Sequence, residues 1–386
     1  MKITFAEINV NPLVPVKQAG FAQQVNKIFK FHDDLHARIL GLDDEKTILY
    51  FISIDSLGVP TKVELELSLY FQKKSTKKVV VTISATHDHF AGDARDEVYQ
   101  QQLLGQLTTG IEALIWKEIN KPSLTHQHVF FDGVGHSRIS SHPTDKIFLD
   151  LISFYDDETK LGTAIVYNCH PTIHNGDTPY FTSEYPGYVI KKLQEKYPNE
   201  FFTFFQSAAG DVSTRFTRPS QDYAGVEFLG NKLVAKILEL RKEEEKKLPL
   251  GNFSYTAENL PLVHDLGPID YSKMPSVISE REKSEIKTGE VAREHLLAHP
   301  EHLEKTIMIS CADLGGIKMV FGPKEMFSYY LGAIDPKKAV LICYSNGYSP
   351  YIVDVGFSGV TYELFTDTTT EETKKNLYAL LKKFGH

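Results

Sequence analysis

Two histidines, His87 and His89, stand one residue apart in residues 79–93, VVVTISATHDHFAGD, directly after a run of β-forming residues. In an extended segment residues i and i+2 point to the same side, so both imidazoles can face one pocket. A pair so placed can ligate a metal through one or both members, with any remaining imidazole acting as an outer partner or a base. The plainer alternative is two polar residues in a surface loop. The chain offers more groups of similar chemistry: His170 and His174 in CHPTIHNGD, Asp211 and Ser213 in SAAGDVSTR, Glu325 in GPKEMF, and Tyr348 and Tyr351 in SNGYSPY. Each has an ordinary explanation when taken alone. His170 precedes Pro171, which stops a strand; a serine is usually a loop hydrogen-bonder; Glu325 could open a helix, where the dipole favours a carboxylate; Tyr351 is one of 19 tyrosines. Taken together, imidazoles, carboxylates, a hydroxyl and phenols form a donor set suited to a borderline cation such as Zn²⁺.

Folding must bring these distant groups together. Strand-like runs occur at 47–55, 78–84, 146–154, 162–168, 201–206, 306–311, 317–321 and 338–344. Helix-like stretches at 96–119, 184–197, 225–247, 278–298, 324–333 and 370–384 alternate with many of them. The pattern predicts an α/β fold, layered mixed sheets with a partly parallel component, flanked by helices. Such folds collect function in loops leaving the C-terminal ends of strands. Each polar cluster does follow a strand-like run. The RKEEEKK tail of 225–247 reads as a solvated helical face with i,i+4 pairs. The polar stretch 264–305 reads as an excursion or a helical lid.

Composition narrows the classes. Hydrophobic content of 42%, charged content of 24% and a net charge of −8 fit a globular protein with a sizeable core. They exclude the basic footprint of a nucleic-acid binder. No apolar run is long enough to span a bilayer, and no signal-type stretch opens the chain, so a cytoplasmic location is expected. Cys169, Cys311 and Cys343 are widely spaced and sit mostly in apolar runs, as buried inert thiols do. The metallo-β-lactamase pattern H-x-H-x-D-H fails, because Phe90, Ala91 and Gly92 follow His89. Ser213 lies in GDVS, outside a G-x-S-x-G elbow.

In combination the motifs resemble the neutral ceramidase family of zinc amidases. SATHDHFAG is similar to S-x-T-H-T-H-S-G, and NCHPTIHNG with SEYPGYVIKKL to H-P-T followed by S-x-D-Y-P-G. FFQSAAGDVST is similar to Q-x-x-A-G-D-V-S-P, FGPKEMF to P-G-E-x-F, and SNGYSPYIVD with VTYELF to N-x-Y-x-x-Y and a later Y-E. FHDDLHARILGLDD resembles the opening of the family's catalytic domain. The resemblance spans about residues 1–366 in constant order. It implies His87, His170, Glu325 and Tyr351 as zinc ligands, with His89 as general base or outer partner. It places Asp211 and Ser213 in the active site, Arg138 of GHSRISS near the scissile amide, and Tyr362 near the reacting carbonyl. It implies one catalytic domain over 1–386, without the family's C-terminal immunoglobulin-like domain, acting on a small-molecule N-acyl substrate, lipid or otherwise.

Departures exist: Asp88 for Thr, Phe90-Ala91 for Ser-Gly, Thr214 for Pro and Lys324 for Gly. The expected reaction is hydrolysis of a ceramide-like amide by metal-activated water. Ser213 is expected as a hydrogen-bond donor rather than the nucleophile. The rival functions are a metal-dependent esterase or phosphohydrolase on the same site, a ligand-binding relative without turnover, and an α/β protein whose histidines are scattered. Oligomeric state is not written in the sequence.

Overall fold

The first sheet runs β4–β3–β2–β1–β5, from Lys2–Asn9 (β1), His36–Asp43 (β2), Thr47–Ile54 (β3), Lys78–Ala85 (β4) and Lys117–Glu118 (β5). The computed structural model that shows it describes residues 1–21, 26–139, 141–243, 246–274 and 278–386. A second sheet, β10–β9–β8–β6–β12, is built from Pro122–Phe130 (β6), Phe148–Asp156 (β8), Thr159–Tyr167 (β9), Phe201–Gln206 (β10) and Leu248–Pro249 (β12). The ribbon His136–Ser137 (β7) with Val212–Ser213 (β11) accompanies it. The third, β13–β14–β15–β17, uses Ser254–Pro261 (β13), Thr306–Asp313 (β14), Lys318–Phe321 (β15) and Ala339–Ile342 (β17). A parallel ribbon joins Lys324–Met326 (β16) to Ser349–Ile352 (β18). Each large sheet is mixed, with one parallel pair: β3–β4, β9–β10 and β15–β17.

Parallel neighbours need a crossover. Helix Thr61–Lys73 (α1) links β3 to β4, and Glu184–Lys196 (α3) links β9 to β10. The other helices are Glu97–Glu112 (α2), Tyr223–Leu240 (α4), Glu280–Ala298 (α5), Tyr362–Thr366 (α6) and Glu371–Gly385 (α7).

The two-residue period of the strands sends alternate side chains to different cores. On β3, Leu49 and Phe51 enter a core shared by all three sheets, while Tyr50, Ile52 and Ile54 meet α1 and α2. On β9, Ala164 and Val166 join the shared core, and Ile165 and Tyr167 face α3 and α4. On β17, Val340 and Ile342 point inward, while Ala339 and Leu341 lie in the cluster that includes Leu377 and Leu381 of α7. Burying one such side chain contributes roughly 1.5–3 kcal/mol, so the shared core fixes the sheets against one another.

Several boundaries differ from the sequence expectation. Residues 324–333 form no α-helix; they are β16 followed by a 3₁₀ turn at Ser328–Ala333. Glu325 is therefore a strand residue and opens no helix. The helix expected over 225–247 ends at Leu240, so residues 241–243 and 246–247 of RKEEEKK lie beyond it; residues 244–245 lie outside the described set. The helix expected over 96–119 stops at Glu112. Helix α1 and strands β1, β2, β6 and β13 carry no expectation above. In α1, Val63, Leu65, Leu67 and Leu69 alternate as in a strand, yet Leu65 and Leu69 are 51% and 61% exposed. The stretch 264–305, of which 275–277 lie outside the described residues, contains α5. A capping box starts that helix: Ser279 Oγ accepts from Glu282 N at 3.2 Å, and Ser279 N donates to Glu282 Oε2 at 2.7 Å. Cys169, Cys311 and Cys343 are free and buried, as expected.

Candidate metal centre

The three parallel pairs end on one another. Ala85 N, at the end of β4, donates to Tyr344 O at 3.0 Å, and Cys343 N, after β17, donates to Gln206 O of β10 at 2.9 Å. Gly210 N donates to Met326 O at 2.7 Å, and His170 N to Val212 O at 3.0 Å. These bonds tie the loops after β4, β9, β10, β15 and β17 into one floor, and the expected site residues rise from it.

His87 and His89 approach by a different route from the extended geometry expected. His87 has φ +62°, a left-handed turn directly after β4. The two rings lie 4.9 Å apart, centroid to centroid. His87 Nδ1–H donates to Leu57 O at 2.9 Å, His89 Nδ1–H to Gly20 O at 2.9 Å and His170 Nδ1–H to Ala209 O at 2.7 Å. Each backbone acceptor fixes the tautomer, so all three Nε2 atoms present lone pairs. His87 Nε2 lies 3.1 Å from His170 Nε2 and 3.4 Å from His89 Nε2. Glu325 Oε1 lies 2.7 Å from His170 Nε2 and 3.3 Å from His87 Nε2.

The ribbon supplies the oxygen donors. Parallel pairing sets Glu325 directly beside Tyr351. Tyr348 OH donates to Glu325 Oε2 at 3.0 Å. Arg138 Nη2 donates to Tyr351 OH at 2.8 Å and to Glu363 Oε1 at 2.6 Å. Tyr362 packs edge-on against Tyr351 with centroids 5.9 Å apart.

Electrostatics keep the donors open. Burial, aided by His87 and His170, holds His89 well below the usual histidine range. Burial and then Arg138 hold His170 down to about 4. For Glu325, burial favours the acid, but the neighbouring His87 and His170 outweigh it and keep the carboxyl ionised well below its ordinary range. Burial raises the Tyr351 phenol well above 10, with Arg138 pulling the other way.

With each Nδ1 proton given to a backbone carbonyl, three Nε2 atoms and an ionised carboxylate crowd one another at 2.7–3.4 Å. A divalent cation resolves that arrangement. Four donors at about 2.0–2.2 Å from one ion stand roughly 3.3–3.6 Å apart, comparable to the separations here. The residues present therefore fit the expected metal. Three histidines, His87, His89 and His170, present ligand atoms within 4.8 Å of one another. A second group, His299, Glu301 and His302, also lies close enough for an ion, but at the surface beyond α5.

Two expected residues take different positions. Ser213 lines the cavity in front of the cluster, and its Oγ accepts from Arg215 N at 3.3 Å. Asp211 lies beneath, accepting from Ser328 N and Oγ, each at 2.7 Å, and does not line the cavity. Burial raises its carboxyl to about 6. Residue 140, within the GHSRISS motif, lies outside the described residues. Among the departures, Lys324 is buried with Nζ 3.8 Å from Glu304 Oε2. Asp88 is buried and accepts from Phe90 N at 2.9 Å.

The cavity measures about 420 Å³ and is lined by His89, Arg138, Glu325, Tyr351 and Tyr362 from the expected set, besides Ser213. Sequence reasoning missed Glu363, which anchors Arg138, and the three carbonyls that orient the imidazoles. It also missed Gly20, where an added Cβ would sit 2.3 Å from His89 Cβ. Helix α5 forms one wall through Arg281, Ser284, Glu285 and Thr288.

Among the described residues no helix is long and apolar enough to cross a membrane. No family model matches the chain, and no curated protein does. Solved structures do. The crystal structure of neutral ceramidase from Pseudomonas aeruginosa is similar with a TM-score of 0.77 and 14% identity, over 100% of this chain and 74% of that one. A structure described as ceramidase complexed with C2 is similar with a TM-score of 0.76 and 12% identity, over the same shares. The chain has a ceramidase-like fold.

Proposed function

We propose that the protein is a zinc-dependent hydrolase that cleaves an N-acyl amide, with residues 1–386 acting as one catalytic domain. The observation that carries this is the convergence of three Nε2 atoms and an ionised carboxylate beside a cavity. The ceramidase-like fold supports an amide as the bond cleaved and keeps a ceramide-like lipid among the candidate substrates.

His87, His170 and Glu325, the tightest group, would hold the ion, with Tyr351 beside Glu325 as the fourth donor. Zinc in such a set acidifies water towards neutral pH and polarises an acyl oxygen. His87 and His170 are fully buried, whereas His89 opens on the cavity. His89 is therefore placed to accept the proton of the attacking water on Nε2 and return it to the leaving amine. General acid–base help of this kind is worth about 10²–10⁴ in rate. Arg138, held by Glu363, and Tyr362 line the same space and serve as donors to the developing oxyanion, each worth roughly 3–4 kcal/mol. Ser213 contributes a hydrogen bond rather than a nucleophile; among the described residues no histidine ring is hydrogen-bonded to its Oγ.

Elemental analysis coupled to parallel N-acyl, O-acyl and phosphoester chromogenic substrates, with and without chelator, tests the proposal. The expected result is about one zinc per chain and amide hydrolysis abolished by chelation. Ester turnover without amide turnover would reassign the reaction, and ligand binding without any turnover in the zinc-loaded protein would remove it.

A further inference from the structure

We propose that the outer part of the cavity is a subsite for an anionic group, so that the preferred substrate is an N-acyl amide carrying a carboxylate, phosphate or sulfate-type group. This rests on the hydrolase reading above and names its substrate class. Three guanidinium side chains, Arg215, Arg218 and Arg281, line the cavity beyond the metal cluster. Arg215 and Arg218 come from the loop after β11, and Arg281 from the first turn of α5.

One carboxylate serves two of them. Glu285 Oε1 lies 2.6 Å from Arg215 Nη2 and 3.0 Å from Arg281 Nε. Arg218 has no carboxylate partner within 4.0 Å among the described residues, and Nη1 donates to Thr172 O. Glu184 attracts Arg218 from a distance, but Glu184 Oε1 is already taken by the backbone N–H groups of Ile173 and His174 and by His174 Nδ1. These three guanidiniums share one bonded carboxylate, and over the whole lining four guanidiniums face three carboxylates, a surplus of one positive charge in a chain whose net charge is −8.

The donors are also unsatisfied. Arg215 Nε is buried without a partner, and a buried donor left unmade is costly. Burial and the nearby Arg281 push the Arg218 guanidinium down to about 10, the direction that an arriving anion reverses. Planar guanidinium forks match carboxylate, phosphate and sulfate oxygens in pairs. Among the described residues the hydrocarbon side chains of the lining are Phe21 and Leu57, a small surface for the alkyl chains of a neutral lipid.

Matched substrates with one acyl chain test this in the zinc-loaded protein: N-acyl glutamate, N-acyl taurine, N-acyl phosphoethanolamine and the neutral N-acyl ethanolamine. An amide of a dicarboxylic acid places the charge on the acyl side instead. At least one anionic substrate is expected to exceed the neutral amide tenfold or more in kcat/KM, mainly through KM. That preference should fall at least tenfold in Arg218→Gln and in Arg281→Gln, partly return in Arg218→Lys, and leave zinc content unchanged. Arg281 is half-exposed, so its variant keeps the test informative if Arg218→Gln misfolds. Calorimetric titration with inorganic sulfate gives a readout free of turnover: saturable binding in the parent, lost in Arg218→Gln. Equal kcat/KM for neutral and anionic amides, or a preference that survives both variants, overturns the subsite while leaving the hydrolase intact. Sulfate binding without turnover of any amide overturns the hydrolase reading and leaves the subsite standing.

Discussion

His87, His170 and Glu325 make the tightest triangle of donors, and His89 touches that triangle only through His87. This difference in position predicts a difference in consequence. His87→Ala, His170→Ala and Glu325→Gln should each lose most of the bound zinc. His89→Ala should retain it while kcat falls by about 10²–10⁴; elemental analysis beside a turnover assay reads both quantities, and a zinc-free His89→Ala would make His89 a ligand. Asp211 belongs to another kind of residue, buried under the site and bonded to Ser328. A free aspartate titrates near 3.9, whereas burial raises Asp211 to about 6. The folded state therefore binds this proton more tightly. Stability from the group is full below about pH 4 and is lost as pH rises through about 6, by roughly 3 kcal/mol in all. Asp211→Asn should melt close to the parent at pH 4 and above it at pH 7; parallel melting profiles would show that the carboxyl ionises without cost. At this scale the sequence revealed side chains and hid backbone. The motif histidines were legible as types and spacing, but the carbonyls of Leu57, Gly20 and Ala209 that set their tautomers look like every other carbonyl. Glu363 was legible only as the second letter of the Y-E motif, without a role, until folding set it beside Arg138.

At the scale of elements, legibility followed burial. Strands with both faces buried, such as β3, β4, β9 and β17, appear as continuous apolar runs because each face meets a different core. The half-exposed β1 and β13 mix polar and apolar residues and gave no such run. Helix α1 concealed itself by alternating like a strand while burying only one stripe. β16 was masked by GPKEMF, whose proline and glutamate imitate a helix start, and tertiary pairing with β18 decides its form. Helix α5 was legible as a polar helix, but its role was not, since nothing local says that it walls the cavity. It approaches α6 through Gly289, where an added Cβ would lie 2.9 Å from Phe365 Cβ. Gly289→Val should therefore push α5 away, costing about 1–3 kcal/mol of stability as overpacking does. KM should rise while zinc content stays constant, because α5 supplies cavity wall and no metal donor. Thermal melting, substrate titration and metal analysis on one preparation check all three, and an unchanged KM would mean that α5 does not shape the substrate space.

On the scale of the whole molecule, the metal donors come from different sheets: His87 follows β4 of the first, His170 follows β9 of the second, and Glu325 follows β15 of the third. The unfolded chain offers no such assembly, since the donors are separated by 83 and 155 residues. An ion bound here stabilises the folded state by mass action, about 2.7 kcal/mol when free zinc is a hundredfold above Kd. By the usual scaling of Tm with chain size that amounts to about 3 °C. Because the three sheets share one core, the shift should appear in a single cooperative transition rather than in a separate early melt of the loops. Chelation should lower Tm by this order, and His87→Ala should melt alike with and without chelator. The surface group at His299, Glu301 and His302 provides the internal control. It lies in one short segment whose ligation bridges no sheets, so His302→Ala should keep the full zinc-dependent shift. A parent protein whose melting ignores zinc, or a shift that vanishes with His302→Ala instead of His87→Ala, would show that the buried cluster does not hold the ion, and the chemistry assigned to the cavity would go with it.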